Sequence, residues 1–458
     1  MKILRAAVAL LSCLPVLAWA ERPAVHEFQL DNGLKLLVKE DHRAPAAVSQ
    51  VWYKVGSSYE HEGVTGISHI LEHMMFKGTE KHPPGEFSRI IAANGGRENA
   101  FTGADYTAYF QTLEKSRLEV SFELEADRMR HLRILPEEFA KEREVVMEER
   151  RMRTEDQPRA KLSEHFAALA HTNSPYRNPV IGWPDDIRAI TVEDLRDWYL
   201  RWYAPNNATL VVVGDVEPQA VLELAKKHFG PLPPGDLPAL KLRREVEQAG
   251  ERRMTVKLPA KLPYLAMAYK VPALKEAQAD WEPYALEVLA GVLDGGASAR
   301  FSSRLVRGGQ IAAEAGAGYN LYPRLPALFE LEATPATGKS LRELEQALRE
   351  EVRQVRDKPV AQAELERVKA QVLAQEVYQR DSMFYQAMRL GLLETVDLGW
   401  QRADEYPARI QAVKAEEVQA VARKYLLDEH LSVAWLEPLP IEAGKAVIES
   451  IQETGHVR

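Results

Sequence analysis

The chain has 458 residues, of which 46% are hydrophobic and 28% are charged, and its formal net charge at pH 7 is −8. This composition predicts a soluble globular protein with room for two or more domains, and it excludes an intrinsically disordered chain. Its mild acidity gives no electrostatic basis for binding nucleic acid.

The first twenty residues, MKILRAAVALLSCLPVLAWA, have the order of a secretory signal peptide. Lys2 and Arg5 precede an apolar run over residues 6–17, and the letters AWA at residues 18–20 match the small-x-small pattern of a cleavage site. We therefore expect cleavage after residue 20 and export, with a bacterial periplasm as the destination. The apolar run is shorter than the ~20 residues that a membrane-spanning helix needs, so we expect no transmembrane anchor.

The single cysteine, Cys13, lies within this segment. A mature chain that begins after residue 20 therefore has no thiol, no disulfide and no cysteine-based metal site. The alternative is a lipoprotein, with the letters LLSC as the cleavage box. The apolar letters LPVLAWA that follow make this the weaker alternative.

The stretch GISHILEHMMFKGT, residues 66–79, predicts a short buried helix between Gly66 and Gly78. Its apolar residues recur at helical intervals; they are Ile67, Ile70, Leu71, Met74 and Met75. His69 and His73 stand four positions apart, so their imidazoles project from one face about one turn apart. Two nitrogens in this arrangement can bind one Zn²⁺ at ~2.0–2.1 Å each, which leaves room for a third protein ligand and a water.

Glu72 directly precedes the second histidine and lies near the same helix face, where it has no need to be a metal ligand. Its carboxylate can take a proton from the water, whose pKa the zinc lowers towards ~7. The alternative is a pair of buried histidines beside a salt-bridged glutamate. Because the chain has only 12 histidines, this five-residue pattern is rare by chance, and a zinc site is favoured.

Residues 95–113, GGRENAFTGADYTAYFQTL, predict short strands after a break at Gly95 and Gly96. The part from Asn99 to Phe110 is rich in Thr, Tyr and Phe, which favour extended backbone. Taken alone, this pattern does not distinguish a strand that binds a ligand from an ordinary core strand.

Residues 137–153, EEFAKEREVVMEERRMR, predict a helix with Pro136 at its N-terminal edge. A catalytic zinc needs a third protein ligand, and in a mature chain without cysteine that ligand is a carboxylate or another histidine. The helix contains Glu142, Glu144, Glu148 and Glu149, and spacing alone does not choose among them.

The second half of the chain repeats the first at a spacing of about 220 residues. The same order of amphipathic helix, polar turn and apolar strand is found in TVEDLRDWYLRWYAPNNATLVVVGDV, residues 191–216, and in KAEEVQAVARKYLLDEHLSVAWLEP, residues 414–438. Alternating strands that end in Tyr-Lys-Val are likewise found in AAVSQVWYKVGSS, residues 46–58, and in PYLAMAYKVPA, residues 263–273.

We therefore expect an α+β fold of two homologous domains from an internal duplication, each a mostly antiparallel sheet flanked by helices. The predicted segments are a signal peptide (1–20), an N-terminal domain (21–230), a Pro- and charge-rich linker (231–253), a C-terminal domain (254–440) and a tail (441–458). A cleft between two such copies is a common place for a site.

The order His-x-x-Glu-His inverts the commoner His-Glu-x-x-His. In this respect the chain resembles the pitrilysin-type inverted zincins (inverzincins), the zinc metallopeptidases that include mitochondrial processing peptidase and insulin-degrading enzyme. It is similar in particular to the bacterial processing-peptidase-like members. The likeness extends over essentially the whole mature chain, although it is weaker in the second half.

The resemblance implies which carboxylate completes the site. The third ligand of the family is a glutamate about 80 residues after the first histidine, in a segment similar to ERxxVxxE, and the letters EREVVMEE place Glu149 80 residues after His69. His69, His73 and Glu149 are then the expected zinc ligands, with Glu72 as the general base. Glu142 is expected to orient a ligand or the helix, with a purely structural role as the alternative.

The same resemblance implies that a peptide substrate binds as an added strand on a sheet edge, where backbone hydrogen bonds hold many sequences. The edge strand of the family corresponds to the stretch that follows the zinc helix. Asn99, Ala100 and Phe101 are therefore the expected substrate contacts.

In this family the second domain often supplies an arginine and a tyrosine that grip the substrate and stabilise the oxyanion. The usual pattern is similar to SRLxxxLRExxGLAY, and the corresponding letters here are ARFSSRLVRGGQIAAEAGAGY, residues 299–319. This alignment puts Arg300 at the arginine and Ala313 where the tyrosine is expected. A shifted alignment with Arg304 and Tyr319 fits the intervening residues less well.

Some bacterial members of the family work as heterodimers, in which one chain holds zinc and its partner holds the arginine and tyrosine. This chain resembles the zinc-bearing half, so we expect a homologous partner subunit without the zinc motif. The counterpart of the zinc helix in the second half, PYALEVLAGVLDGG, has no histidine. One Zn²⁺ per chain is therefore expected.

The sequence thus predicts an exported zinc metalloendopeptidase that clamps a peptide between its two domains and hydrolyses it with zinc-activated water and Glu72. The alternative is a non-catalytic scaffold or assembly subunit of the same fold, although such relatives commonly lose parts of the motif. A zinc store is a weaker alternative, because a buffer has no need of Glu72.

Overall fold

The computed structural model describes residues 24–241 and 243–441, and the predicted signal peptide, Cys13 and residues 442–458 of the predicted tail lie outside these ranges. Two sheets, one in each half, organise the chain. The strands of the first sheet are β1 (Val25–Gln29), β2 (Lys35–Glu40), β3 (Ala46–Tyr53), β4 (Arg97–Thr102), β5 (Thr107–Glu114) and β6 (Ala208–Gly214). The strands of the second are β7 (Arg252–Pro259), β8 (Tyr264–Val271), β9 (Ala312–Tyr319), β10 (Ala327–Pro335) and β11 (Leu431–Leu439).

Helices pack on the faces of both sheets. Those of the first half are α1 (Ile67–Met74), α2 (Glu86–Ala93), α3 (Leu118–His131), α4 (Pro136–Arg150), α5 (Pro158–Ala170), α6 (Pro184–Ala189), α7 (Val192–Trp202) and α8 (Pro218–His228). Those of the second are α9 (Trp281–Asp294), α10 (Leu341–Asp357), α11 (Gln362–Gln379), α12 (Met383–Thr395), α13 (Arg402–Ala412) and α14 (Ala415–Tyr425). Within the described ranges, no helix has the length and apolarity needed to cross a membrane.

The two sheets share one topology. The strand order of the first is β1-β2-β6-β3-β5-β4 and that of the second is β7-β11-β8-β10-β9. Each contains one parallel pair, β2 with β6 and β7 with β11, and all other neighbours are antiparallel. Matching the parallel pairs makes β4 and β9 equivalent edge strands, whereas β1 has no counterpart among the strands described. This architecture confirms the predicted fold class of two similar α+β domains.

The two halves are joined by an exchange of helices. α12, from the second half, lies across the first sheet, where Leu390 packs with apolar residues of β3 and β6. The approach is close, because a Cβ on Gly391 would lie 2.1 Å from Nε1 of Trp52. α5, from the first half, lies across the second sheet through Leu162 and Phe166. Each half therefore completes the core of the other, and the two domains form one packed unit.

Candidate metal centre

The predicted motif lies on α1, which eight residues form. Five apolar side chains anchor this helix with at most 1% of their surface exposed, namely Ile67, Ile70, Leu71, Met74 and Met75. The helix begins after Gly66, whose φ of 90° lies in the left-handed region that favours glycine. A Cβ there would lie 2.5 Å from the carbonyl oxygen of Ile181. Glycine therefore allows the start of α1 to pack against the backbone of a neighbouring loop.

Glu60 supplies the N-terminal cap that α1 lacks. The residue before the helix, Gly66, has no side chain to cap it, and the first turn holds no acidic residue. Glu60 is 3% exposed and accepts hydrogen bonds from the backbone N–H groups of Gly66, at 2.7 Å, and Ser68, at 2.9 Å. Its carboxylate thereby satisfies two free donors at the positive end of the helix dipole. Burial raises the pKa of Glu60 to about 7, although these hydrogen bonds lower it.

α1 and α4 bring the three predicted ligands together. His69, His73 and Glu149 each offer one ligand atom, and these atoms all lie within 4.8 Å of one another. Nε2 of His73 lies 3.3 Å from Oε2 of Glu149, and Nε2 of His69 lies 3.8 Å from the same oxygen. The other oxygen of Glu149 forms an ion pair with Arg153. In the described part of the chain, no other three His, Cys, Asp or Glu side chains form such a group.

The donor set fits a zinc ion. Tetrahedral ligands at ~2.0–2.1 Å from a metal lie ~3.4 Å from one another, which is close to the 3.3 and 3.8 Å that separate Oε2 of Glu149 from the two histidine nitrogens. Nε2 of His69 and Nε2 of His73 both face Oε2 of Glu149, so the three donor atoms converge. Two histidines and one carboxylate are also a known ligand set of catalytic zinc sites, in which a fourth position remains for water or substrate.

The electrostatics of the cluster favour the ligand forms of two of its three side chains, His69 and Glu149. Burial, and then the neighbouring His73, lower the pKa of His69. Hydrogen bonding to His73 lowers the pKa of Glu149, against the effect of burial. Burial lowers the pKa of His73, but its hydrogen bonds to Glu149 and Glu142 outweigh burial and raise that pKa overall. A neutral imidazole at His69 and an ionised carboxylate at Glu149 are the forms that bind metal.

Glu142 lies behind His73. Its Oε2 is 3.2 Å from Nδ1 of His73, and its Oε1 is 2.6 Å from Nζ of Lys77. Because the other ring nitrogen of His73 faces Glu149, Glu142 is placed to fix the orientation and tautomer of that ring. This position is the one that the predicted orienting role of Glu142 requires, and the role itself stays a prediction.

The side chain of Glu72 extends from α1 to β4, at the edge of the first sheet. Its Oε2 accepts a hydrogen bond from the hydroxyl of Thr102, the last residue of β4. Burial raises the pKa of Glu72, and the hydrogen bond from Thr102 opposes that rise. Sequence reasoning missed Thr102, although it directly follows Phe101, because no spacing rule connects a strand residue with a helix residue 30 positions earlier.

The predicted substrate contacts lie on β4, at one edge of the first sheet. The backbone N–H of Ala100 donates to Oδ1 of Asn99 at 2.9 Å, so it points away from the neighbouring strand. The ring of Phe101 packs edge-on against Trp52, with 5.4 Å between the ring centroids. β4 therefore presents backbone at its outer side near Ala100, while the side chain of Phe101 belongs to the packing under α12.

Arg300 and Tyr319, two candidate residues of the second domain, form hydrogen bonds with other groups of the protein. Arg300 is 7% exposed, and its guanidinium donates twice to Glu364, at 2.9 and 2.8 Å. The hydroxyl of Tyr319 donates to the carbonyl of Pro272 at 2.7 Å. When Arg300 is aligned with the arginine of the pattern SRLxxxLRExxGLAY, Gln310 stands at its glycine. The φ of Gln310 is 47°, a backbone conformation that glycine favours.

Comparison with known families matches both halves of the chain. Residues 35–183 match the family described as Insulinase (Peptidase family M16). Residues 189–372 match the family described as Peptidase M16 inactive domain. The second match includes α9, which contains no histidine.

Similar proteins cover nearly the whole chain. The zinc protease PqqE of Helicobacter pylori is 32% identical over 422 residues, which are 91% of this chain and 93% of that protein. The probable mitochondrial-processing peptidase subunit beta of Arabidopsis thaliana is 25% identical over 427 residues, with 91% of this chain and 79% of that protein covered. The crystal structure of a protease from Helicobacter pylori superimposes with a TM-score of 0.85 at 31% identity, over 91% of this chain and 100% of that one. The chain therefore belongs to peptidase family M16, which confirms the resemblance that its sequence indicates.

Proposed function

We propose that the chain is an exported, zinc-dependent metalloendopeptidase that acts with a partner subunit. The observation that carries the proposal is the convergence of His69, His73 and Glu149 beside the partly buried carboxylate of Glu72. The similarity to a protein named as a zinc protease supports the activity.

The residues of the cluster divide the chemistry among them. His69, His73 and Glu149 would hold the zinc, which when bound polarises a peptide carbonyl and lowers the pKa of water. Glu72 takes up the proton of the attacking water at Oε1, because Thr102 already occupies Oε2. Burial, which raises the pKa of Glu72, helps this carboxyl to hold the proton until the leaving amine accepts it.

The outer side of β4 would bind the peptide as an added strand. No strand of the described chain pairs with that side. An incoming peptide carbonyl would replace the side chain of Asn99 as the acceptor for the N–H of Ala100. Binding through backbone groups places few demands on sequence, which suits peptides or unfolded protein segments as substrates.

A homologous partner is proposed to supply the arginine and tyrosine that grip the substrate. In the described second domain, Arg300 is held by Glu364, and Tyr319 is bonded to the backbone of Pro272. One similar protein is named as a subunit. Export is proposed from the signal-like order of the first twenty residues.

The rival function is a non-catalytic scaffold of the same fold, which draws on the family description of residues 189–372 as an inactive domain. The two functions are separated by metal analysis and peptide cleavage on the purified chain, alone and with a co-purified homologous subunit. We expect one zinc per chain, cleavage that a chelator abolishes, and recovery when zinc is added back. Stoichiometric zinc without cleavage under every condition would favour the scaffold.

A further inference from the structure

A buried polar cluster joins the second domain to the edge hairpin of the first. It consists of Ser58, Asp105, Tyr176 and Arg324, and we call it the Asp105 cluster. Asp105 lies in the turn between β4 and β5, whereas Arg324 lies in the loop between β9 and β10. Ser58, Asp105 and Arg324 are 7%, 4% and 7% exposed. The contact is therefore made inside the protein, between elements of opposite halves.

Asp105 is held by donors from three directions. The hydroxyl of Ser58 donates to Oδ1 at 2.7 Å, the hydroxyl of Tyr176 donates to Oδ2, and the backbone N–H of Arg324 donates to Oδ2 at 2.9 Å. Charge-assisted bonds of this kind are strong where water is excluded. They fix the carboxylate, and with it the turn between β4 and β5.

The guanidinium of Arg324 closes the cluster. One terminal nitrogen donates to the hydroxyl oxygen of Ser58 at 2.8 Å, and Nε lies 3.4 Å from Oδ1 of Asp105. The same group lies over the ring of Tyr59, 4.5 Å from its centroid. A planar cation suits this place between a carboxylate and an aromatic face.

The turn that carries Asp105 continues directly into the candidate metal centre. Thr102, which bonds to Glu72, lies three residues before Asp105 on the same hairpin. A shift of the turn would therefore move the hydroxyl that orients Glu72.

The turn is also attached to the segment before α1. The backbone N–H groups of Ser57 and Ser58 donate to the carbonyls of Gly103, at 3.2 Å, and Ala104, at 2.7 Å. Shortly after this contact the chain reaches Glu60, which caps α1. Both the orienting partner of Glu72 and the cap of its helix thus lie within a few residues of the Asp105 cluster.

We propose that Arg324 is a positioning residue for the candidate metal centre, through which the second domain fixes the edge hairpin and the start of α1. Arg324 touches none of the groups assigned to the reaction and acts through Asp105 and Ser58. Its catalytic consequence rests on the proposed peptidase function, whereas its effect on the hairpin does not.

Lys35 provides a matched control. It forms an ion pair with Glu394 on α12 and so also joins the two halves. β2, which carries Lys35, lies four places from β4 in the sheet. Lys35→Met therefore removes an interdomain ion pair without touching the Asp105 cluster.

The test uses full-length, zinc-loaded Arg324→Met, Arg324→Lys, Lys35→Met and the unmodified protein. Amide hydrogen exchange is followed over residues 57–66 and 97–107, together with zinc content and peptide cleavage. We expect Arg324→Met to speed exchange in both segments about tenfold or more. We also expect it to lower kcat about 10- to 100-fold at unchanged zinc stoichiometry, with partial recovery in Arg324→Lys and no change in Lys35→Met.

Each of the other possible outcomes contradicts a specific part of the inference or of the proposed function. Unchanged exchange in Arg324→Met overturns the inference, and so do equal effects in Lys35→Met, since these would reflect a general loosening between the halves. Faster exchange with unchanged kcat overturns the catalytic consequence. If the unmodified protein binds zinc and cleaves nothing, the proposed function fails, and exchange still decides the positioning role. If Arg324→Met does not fold, Ser58→Ala removes the hydroxyl between Arg324 and Asp105 and is measured in its place.

Discussion

The hydroxyl of Thr102 donates a hydrogen bond to Oε2 of Glu72, and so links the edge strand β4 to the helix α1. This contact holds a partly buried carboxylate in one orientation beside the three candidate zinc ligands. It also leaves Oε1 as the oxygen that is proposed to take up a proton. The strand proposed to bind substrate is therefore also the strand that orients the proposed base.

Replacing Thr102 with valine tests this contact, because valine keeps the shape of threonine and lacks the hydroxyl. We expect kcat to fall about 10- to 100-fold, since a hydrogen bond to a charged group stabilises by about 1.5–3 kcal/mol. Zinc content should not change. Steady-state peptide cleavage and metal analysis check both points, and Thr102→Ser, which keeps the hydroxyl, is the control. A valine variant with the kcat of the unmodified protein would show that Glu72 needs no such partner.

Glu60 predicts a pH dependence of stability. Burial raises its pKa from 4.5 to about 7, so the folded state binds this proton more tightly than the unfolded chain does. The resulting stabilisation is complete below the unfolded pKa and is lost as the pH rises through the folded pKa. Between pH 5 and 8 the free energy of unfolding should therefore fall by roughly 2–3 kcal/mol more in the unmodified protein than in Glu60→Gln.

Urea unfolding of the metal-free proteins at several pH values measures this difference without a contribution from zinc binding. Glutamine cannot ionise, so other groups contribute equally to both curves and cancel in the comparison. Parallel pH profiles for the two proteins would contradict the raised pKa of Glu60.

Gln310 predicts a stabilising substitution. Its φ of 47° is a left-handed conformation, which costs a residue with a side chain about 1–2 kcal/mol, whereas glycine adopts it freely and loses roughly 0.5–1 kcal/mol in backbone entropy. Gln310→Gly should therefore raise the free energy of unfolding by about 0.5–1 kcal/mol. Denaturant unfolding measures the change.

Asp397 provides the contrast, because its φ of 59° is similar. Its carboxylate, however, forms ion pairs with Lys54 and Lys275, one from each half of the chain. Asp397→Gly should therefore gain less stability than Gln310→Gly, or lose some. An equal gain at both positions would show that these ion pairs contribute nothing.

The sequence predicts the elements better than the contacts between them. The helical spacing of the apolar residues around His69 and His73 predicts α1, since burial imposes that period directly on the chain. The repeated helix-turn-strand order predicts two similar sheets. The exchange of α5 and α12 was not predicted, because an apolar helix face does not specify which of two similar sheets it will cover.

In the candidate site, too, the sequence predicts individual residues better than the contacts between them. Glu149 is one of several glutamates on one predicted helix, and only the packing of α4 against α1 distinguishes it. From the sequence, it was identified through the family resemblance alone. Glu60, Thr102 and Arg324 escaped prediction because each acts through a contact that local spacing does not encode. Arg300 donates hydrogen bonds to Glu364, a pairing that the sequence did not indicate, and its expected contact with substrate stays a prediction.

The most direct test of the proposed mechanism is the zinc content and peptide turnover of Glu72→Gln, measured with the homologous subunit present if one co-purifies. Glutamine keeps the size and the hydrogen bonding of the side chain but cannot accept the proton of water. The mechanism predicts one zinc per chain, as in the unmodified protein, and a turnover lower by about 10²–10⁴-fold or more. Cleavage by Glu72→Gln at the rate of the unmodified protein would contradict it.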